Sequence, residues 1–383
     1  MKGPQLLVVL LVLAAIAGAF LVLRKGRDRP PDPPSGAPEA AVHRFVLEQL
    51  GREPGPMPSL TRVPPERLVE LTTKTLAGHF GEDGLALRAR AYALLHLLPE
   101  SQDLATQWGT ARASADRGCA RESPTIALAD DFDLFNPTEQ GRLARLLTHS
   151  LLGPAAGNSD DAYLADWALR GGIAAEIEAR FLAQRGGALP LPSNAEMEHE
   201  ALLLSLPVYT HNLAQLPLME GRDAVRRRLA AGEDFPEMLA APPAHTLALL
   251  APAAVLEPTP ALPALPGLLL GESLGAYAAA LLGERLGDHL DGEALGPAWR
   301  ADRYGIFQSD GGEHLLWISI WSGEEAAIRM AALLQGQVTP DDPAGRHQRV
   351  RRDGTTVTFA NCADEFTLDE LLPASLDSSA KAP

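Results

Sequence analysis

Three short stretches hold residues whose types and spacing could do chemistry. The first is Arg145-Leu146-Leu147-Thr148-His149, whose ends share one face if the segment is a helix. A zinc hydrolase places H-E-x-x-H at such a spacing: both His reach the metal, and the Glu activates its water. Here only His149 stands; Arg145 and Leu146 occupy the positions of the first His and the Glu. The second is Gly271-Glu272-Ser273-Leu274-Gly275, a G-x-S-x-G sequence after the apolar Leu268-Leu269-Leu270. This is the pattern of a nucleophile elbow, and Asp302 or Asp310 with His314 or His347 follow in triad order. The third is Glu196-Met197-Glu198-His199-Glu200. His199-Glu200 starts like the zinc motif but ends in Leu203. Glu196-x-x-His199 is half of a di-metal carboxylate motif with no second copy. Two cysteines, Cys119 and Cys362, exclude thiolate metal clusters and leave a single pairing open.

The elements that must position these residues read as mostly helical. Apolar periodicity predicts helices over residues 40–50, 65–76 and 85–98. Residues 125–128 form a short apolar run between Pro124 and Asp130, which is strand-like. Asn136-Pro137-Thr138-Glu139 is a helix opening, with an Asn cap and Pro in the first turn. That helix carries His149 and stops at Gly153-Pro154. A second long helix is expected over 160–185, and further helices between 193 and 239. Residues 241–270 are too rich in proline for regular helix. A helix over 274–286 follows, then two strands, 301–308 and 313–321, joined through 309–312. A helix over 323–334 and a second hairpin around Asp353-Gly354 complete the pattern. The expected class is α+β, predominantly helical, with a small mainly antiparallel sheet. The residues before Ser273 lack the alternating β–α pattern of a parallel hydrolase sheet, which weighs against the elbow.

Outside these elements the chain divides by composition. Residues 6–23, LLVVLLVLAAIAGAFLVL, are uncharged and would make about 27 Å of helix, enough to cross a bilayer core. Residues 1–28 therefore read as a single-pass transmembrane anchor with its flanks. Ala17-Gly18-Ala19 resembles a signal-peptide cleavage site, but more apolar residues and then Arg24-Lys25 follow it. The Pro-rich residues 29–38 read as a stiff linker, 39–373 as the globular domain, and 374–383 as a loose tail. With 33 Lys plus Arg against 49 Asp plus Glu, the net charge is −16, which excludes a nucleic-acid partner. Arg24, Lys25, Arg27 and Arg29 after the span would, by the positive-inside rule, hold the globular part in the cytoplasm.

Taken together, the chain resembles a group of bacterial membrane-anchored H-E-x-x-H zinc metallopeptidase-like proteins, in which a later E-G-D-A motif supplies an acidic third ligand. Residues 143–151 look like the metal helix of that group and residues 161–174 like its third-ligand helix. Pro242-Pro243-Ala244-His245-Thr246, Leu270-Gly271-Glu272-Ser273-Leu274 and Ala298-Trp299-Arg300-Ala301-Asp302-Arg303-Tyr304 resemble further segments, followed by Leu316-Trp317 to Trp321. The resemblance implies a gluzincin-like scaffold with the globular part outside the cytoplasm, against the flanking charges. It also implies a degenerate site, because Gly171 falls where the ligand Glu belongs and Ile173 where the Asp does. The expectation is a pseudo-peptidase with no metal, no cofactor and no catalytic residue. It would bind an unknown protein or peptide through a cleft holding Arg145, His149, Glu176 and Glu178. Arg145 is expected either to face solvent or to pair with Glu176 or Glu178. Trp299, Trp317 and Trp321 read as core aromatics. The alternatives are a serine hydrolase using Ser273 and a structural envelope protein.

Overall fold

A computed structural model describes residues 37–99, 103–120, 125–185, 194–264, 266–339 and 344–372. The expected anchor (6–23), most of the linker and the tail lie outside them. No helix among the described residues is long and apolar enough to cross a membrane.

The chain is α+β and mostly helical. It opens with α1 (Pro38–Gln49), β1 (Ser59–Val63), α2 (Pro65–Phe80), α3 (Glu82–Leu94) and α4 (Leu104–Asp116). Then come β2 (Gly118–Ala120), β3 (Thr125–Ala129), α5 (Pro137–Leu152) and α6 (Asp160–Gln184). Helices α7 (Asn194–Ser205) and α8 (Val208–Gln215) lead into a π-helical turn, Pro217–Gly221, and α9 (Arg222–Ala230), α10 (Phe235–Ala240) and α11 (Leu247–Leu250). The last part holds β4 (Leu268–Glu272), α12 (Gly275–Leu286), α13 (His289–Ala298), β5 (Trp299–Ser309), β6 (Gly312–Trp321), α14 (Glu324–Gln335), β7 (His347–Asp353), β8 (Thr356–Cys362) and α15 (Glu365–Leu371).

There are two sheets rather than the single one expected. β1, β3 and β2 form a small mixed sheet in which β1 runs parallel to β3. The second sheet is antiparallel, in the order β4-β5-β6-β8-β7. Both expected hairpins are there, β5–β6 and β7–β8.

Helix α5 starts as its sequence demands. Asn136 Oδ1 accepts the Thr138 N–H at 2.9 Å, and Pro137 takes the first turn, where no amide donor is needed. Helix α6 is the spine of the fold. Tyr163, Leu164, Trp167 and Ala168 sit in the apolar cluster shared with the antiparallel sheet. Leu169, Ile173, Ile177 and Phe181 sit in a second cluster with α5 and the mixed sheet. A 25-residue helix that feeds two cores fixes the groups at its start and middle with little freedom. Cys119 and Cys362 are both buried and free, in different clusters, so the pairing left open does not form.

Candidate functional site

Helices α5 and α6 pack side by side, and between them lies the face that the weakened motif marks. Arg145, His149 and Gly171 line one small pocket, together with Arg112, Asp116, Trp167 and Pro217. Next to it, sharing His149, Arg112 and Asp116, opens a cleft of about 600 Å³. Its walls come from α2 (Thr72, Lys74, His79), from α4 (Arg112, Asp116), from α5 (Leu146, His149) and from α6 (Tyr163, Trp167, Arg170).

Arg145 is buried, with 6% of its surface exposed, so the solvent-facing reading fails. Its guanidinium pairs with Glu178 at 2.9 Å and Asp116 at 3.0 Å, and donates to the Ala115 carbonyl at 2.7 Å. Glu176, the other expected partner, is not in this cleft. It joins Arg180, Arg222 and Arg226 at 3.0–3.3 Å and ties α6 to α9. Two residues along a helix turn the side chain by about 200°, so Glu176 and Glu178 cannot share a face. Glu178 lies seven residues from Gly171, two helical turns on, and so faces the same side.

Leu146 is buried in the core cluster, its methyl packed where a side chain at Gly118 would have to sit. At Gly171 a Cβ would overlap the Cβ of Pro217, at the head of the π-helical turn. No acid fits there without moving that turn. The residues present therefore do not fit a zinc ion. A guanidinium stands where the resemblance expects the first ligand, a core leucine where it expects the base, and Pro217 closes the space beside Gly171, where it expects the third. Among the described residues no cluster of three His, Cys, Asp or Glu is placed to hold a metal. Burial pushes the His149 imidazole down to about 4, with Arg112 and Arg145 adding to the shift against the pull of Asp116. His149 is neutral at physiological pH, able to donate one hydrogen bond and accept another.

The Ser273 region has the outline of an elbow and different bonding. Strand β4, a turn with Gly275 at φ +84°, and α12 follow in order. A Cβ at Gly275 would overlap the Asp161 carboxylate, so glycine is required twice over. The Ser273 hydroxyl donates to Asp302 Oδ1 at 2.7 Å. Asp302 also accepts the Leu274 and Gly275 N–H groups, at 2.9 and 3.2 Å, and the Trp317 indole at 2.7 Å. It thereby caps the start of α12, satisfying amides that have no partner in the helix. His314 is engaged elsewhere, with Ser309 at 2.7 Å and Asp364 at 3.8 Å. Among the described residues no imidazole is bonded to Ser273, and β4 is an edge strand of an antiparallel sheet. The serine–histidine–aspartate arrangement is not assembled.

Beneath Ser273 this bonding extends into a buried cluster. Arg88 grips Asp160 through Nε at 2.8 and 2.9 Å and a terminal nitrogen at 2.6 Å, and Tyr304 donates to the same carboxylate at 3.0 Å. Glu272 lies 3.7 Å from the Arg88 guanidinium. Asp161 accepts the Thr246 N–H at 2.9 Å and its hydroxyl at 2.5 Å, and the Thr246 oxygen in turn accepts the Tyr277 N–H at 3.0 Å. Burial pushes the Asp161 carboxyl up to about 7 against those two hydrogen bonds, with Asp302 and Asp160 adding to the shift.

His199, on α7, has its ring held below its ordinary value by burial and then by Arg117; nothing places it near a second His ligand. The cleft residues that sequence reasoning passed over are Lys74 and Arg112. A signal for the first exists. The chain has four lysines, at positions 2, 25, 74 and 381, so Lys74 is the one lysine of the described residues. Comparisons of the chain with protein-family models, with curated proteins and with solved structures give no match.

Proposed function

We propose that this protein is a membrane-tethered, catalytically inactive relative of zinc metallopeptidases, on a gluzincin-like scaffold, that works by binding in the cleft beside His149. One observation carries the reading. Arg145 and His149, one turn apart on α5, and Gly171, on α6, line one pocket, and the ligand positions that the resemblance expects there are filled by the protein itself. The segments behind the resemblance add support. Asp161, Thr246, Ser273, Asp302, Tyr304 and Trp317 each come from one of them, and they meet in the buried cluster under α12. The uncharged run at residues 6–23 supports the tether, and the resemblance supports an extracytoplasmic globular part with a protein or peptide partner.

Metal analysis of the purified chain after incubation with zinc tests the inactive site. We expect far less than one zinc per chain, and near-stoichiometric zinc would overturn the reading. A reporter fused to the C-terminus tests the orientation, and activity of a periplasm-dependent reporter is the expected result.

A further inference from the structure

We propose that the cleft between α2, α4 and α6 is a binding site for an organic carboxylate, with Arg112 as its anchor and Lys74 as a second cation at the rim. The proposal rests on the cleft being a binding site and names what it takes.

The charge balance of the cleft runs against that of the chain. The protein carries −16 overall, yet the lining holds Lys74, Arg112 and Arg170 against one acid, Asp116. Asp116 is already paired with Arg145 at 3.0 Å, and Arg170 with Asp166 at 2.8 Å. That leaves Arg112 and Lys74, which among the described residues pair with no carboxylate. Asp116, one helical turn from Arg112, is committed to Arg145, so Arg112 is a half-buried positive charge with no carboxylate of its own.

Arg112 is also held in a fixed pose. Its guanidinium lies over the Trp167 ring at 5.2 Å, and Tyr163 lines the same cleft. Cation–π attraction holds the charge at the indole and leaves the guanidinium fork of N–H groups to meet an anion. Such a fork matches the two oxygens of a carboxylate and forms paired, charge-assisted hydrogen bonds with it. Lys74 is exposed on α2, where its flexible stem can follow an anion entering the cleft.

The rest of the cleft says what carries the carboxylate. At about 600 Å³ it has the size of a site for a metabolite or a few peptide residues, far beyond an inorganic anion. Its wall is aromatic: the His79 ring stacks on Tyr163 with centroids 3.9 Å apart and planes 21° apart, and Trp167 lines the same cleft. Such a surface takes a flat or apolar body. Neutral His149, in the same lining, offers one donor or acceptor to a polar group of the ligand.

The test is calorimetric titration of the purified full-length chain in detergent with N-acetyl-phenylalanine and with its carboxamide. A tetrapeptide with a free C-terminus, its amidated form, and inorganic phosphate complete the set. We expect at least one free acid to bind and its amide to bind at least about tenfold more weakly, the worth of a charge-assisted hydrogen bond in a partly dry site. Arg112→Gln should remove that preference, and Lys74→Gln, on an exposed side chain, should weaken acid binding by about threefold to tenfold. Acid binding should fall as salt is raised. Binding of the single amino acid alone assigns the site to small acids. Binding of the tetrapeptide alone assigns it to peptide C-termini. Equal binding of acid and amide, phosphate binding as tight as the acids, no binding of either acid, or acid binding unchanged in both variants would overturn the proposal. Zinc content reads the inactive site and the acid–amide ratio reads the ligand, so one can fail while the other stands.

Discussion

The cleft beside His149 and the buried cluster beneath Ser273 both draw on α6, the cluster on Asp160 and Asp161 and the cleft on Tyr163, Trp167 and Arg170, and both come from stretches that look catalytic in the sequence. They differ in whether their polar groups still have bonding capacity to offer. Beneath Ser273 every principal group is committed: Asp302 accepts four hydrogen bonds, Asp160 is gripped by Arg88 and Tyr304, and Asp161 by Thr246. In the cleft the core-side groups are committed, but Arg112, Lys74 and His149 face open space. A motif says which side chain is present. Whether that side chain can act depends on the partners that the fold gives it, and here the intact motif is saturated while the broken one opens on a cavity.

The sharpest way to break this contrast is to remove a partner from the saturated side. Arg88→Met leaves the Asp160 carboxylate buried with only Tyr304 beside it. The expected loss is about 3–5 kcal/mol in urea unfolding, the range for breaking one side of a buried ion pair. A loss under about 1 kcal/mol would place the cluster with surface pairs and erase the distinction.

Titration should separate the two regions next. Asp161 is held up at about 7, above its ordinary 3.8. Its protonated form belongs to the fold, so its stabilising contribution is complete below pH 3.8 and is lost as pH rises through about 7. His149 is pushed down to about 4 from 6.5, so its contribution is complete above pH 6.5 and is lost as pH falls through about 4. Between about pH 4 and 6.5 unfolding binds one proton at His149 and releases one at Asp161, and the slopes cancel. In that window Asp161→Asn should become more stable with rising pH and His149→Gln less stable, each by up to about 1.4 kcal/mol per pH unit. Urea midpoints measured across the window check this; two profiles parallel to the parent would mean that neither group is perturbed.

Gly171→Ala probes the seam between the regions, where α6 meets the π-helical turn. The added methyl has to displace Pro217, and we expect a loss of about 1–3 kcal/mol in the same unfolding measurement. Ser273→Ala takes one of four hydrogen bonds from Asp302 and should cost about 1 kcal/mol. Neither the parent nor this variant should react with a fluorophosphonate probe. Labelling of the parent that disappears in Ser273→Ala would make the saturated site an active one.

How much of this was legible in the sequence follows from how local each signal is. The start of α5 was readable because Asn136 and Pro137 act within one turn, and the β7–β8 hairpin because Asp353-Gly354 sets its own turn. The helix α4 was missed: beyond Leu104 and Trp108 its buried face is glycine, alanine and serine, which gives a weak apolar stripe. That helix supplies Arg112 and Asp116, so one wall of the cleft could not be anticipated. The strand β1 was hidden because it stands between prolines and pairs only with β3, 66 residues on, at Ser59 and Thr125. The partner of Arg145 was half readable, since Glu176 and Glu178 look equivalent as sequence, and only the angle between them on α6 separates them.

The smallest expected effect on stability bears most on the contrast. Lys74→Gln removes the one lysine of the described residues, an exposed side chain with no paired carboxylate, and should change unfolding by no more than about 0.5 kcal/mol. In the saturated cluster a charge and its stabilising partners cannot be separated, so a substitution there reports on folding first. At Lys74 the fold has no stake, and any loss of anion binding in this variant reports on the cleft alone. A large loss of stability in Lys74→Gln would mean that the cleft cation has a structural partner after all, and the difference between the two regions would then be one of degree.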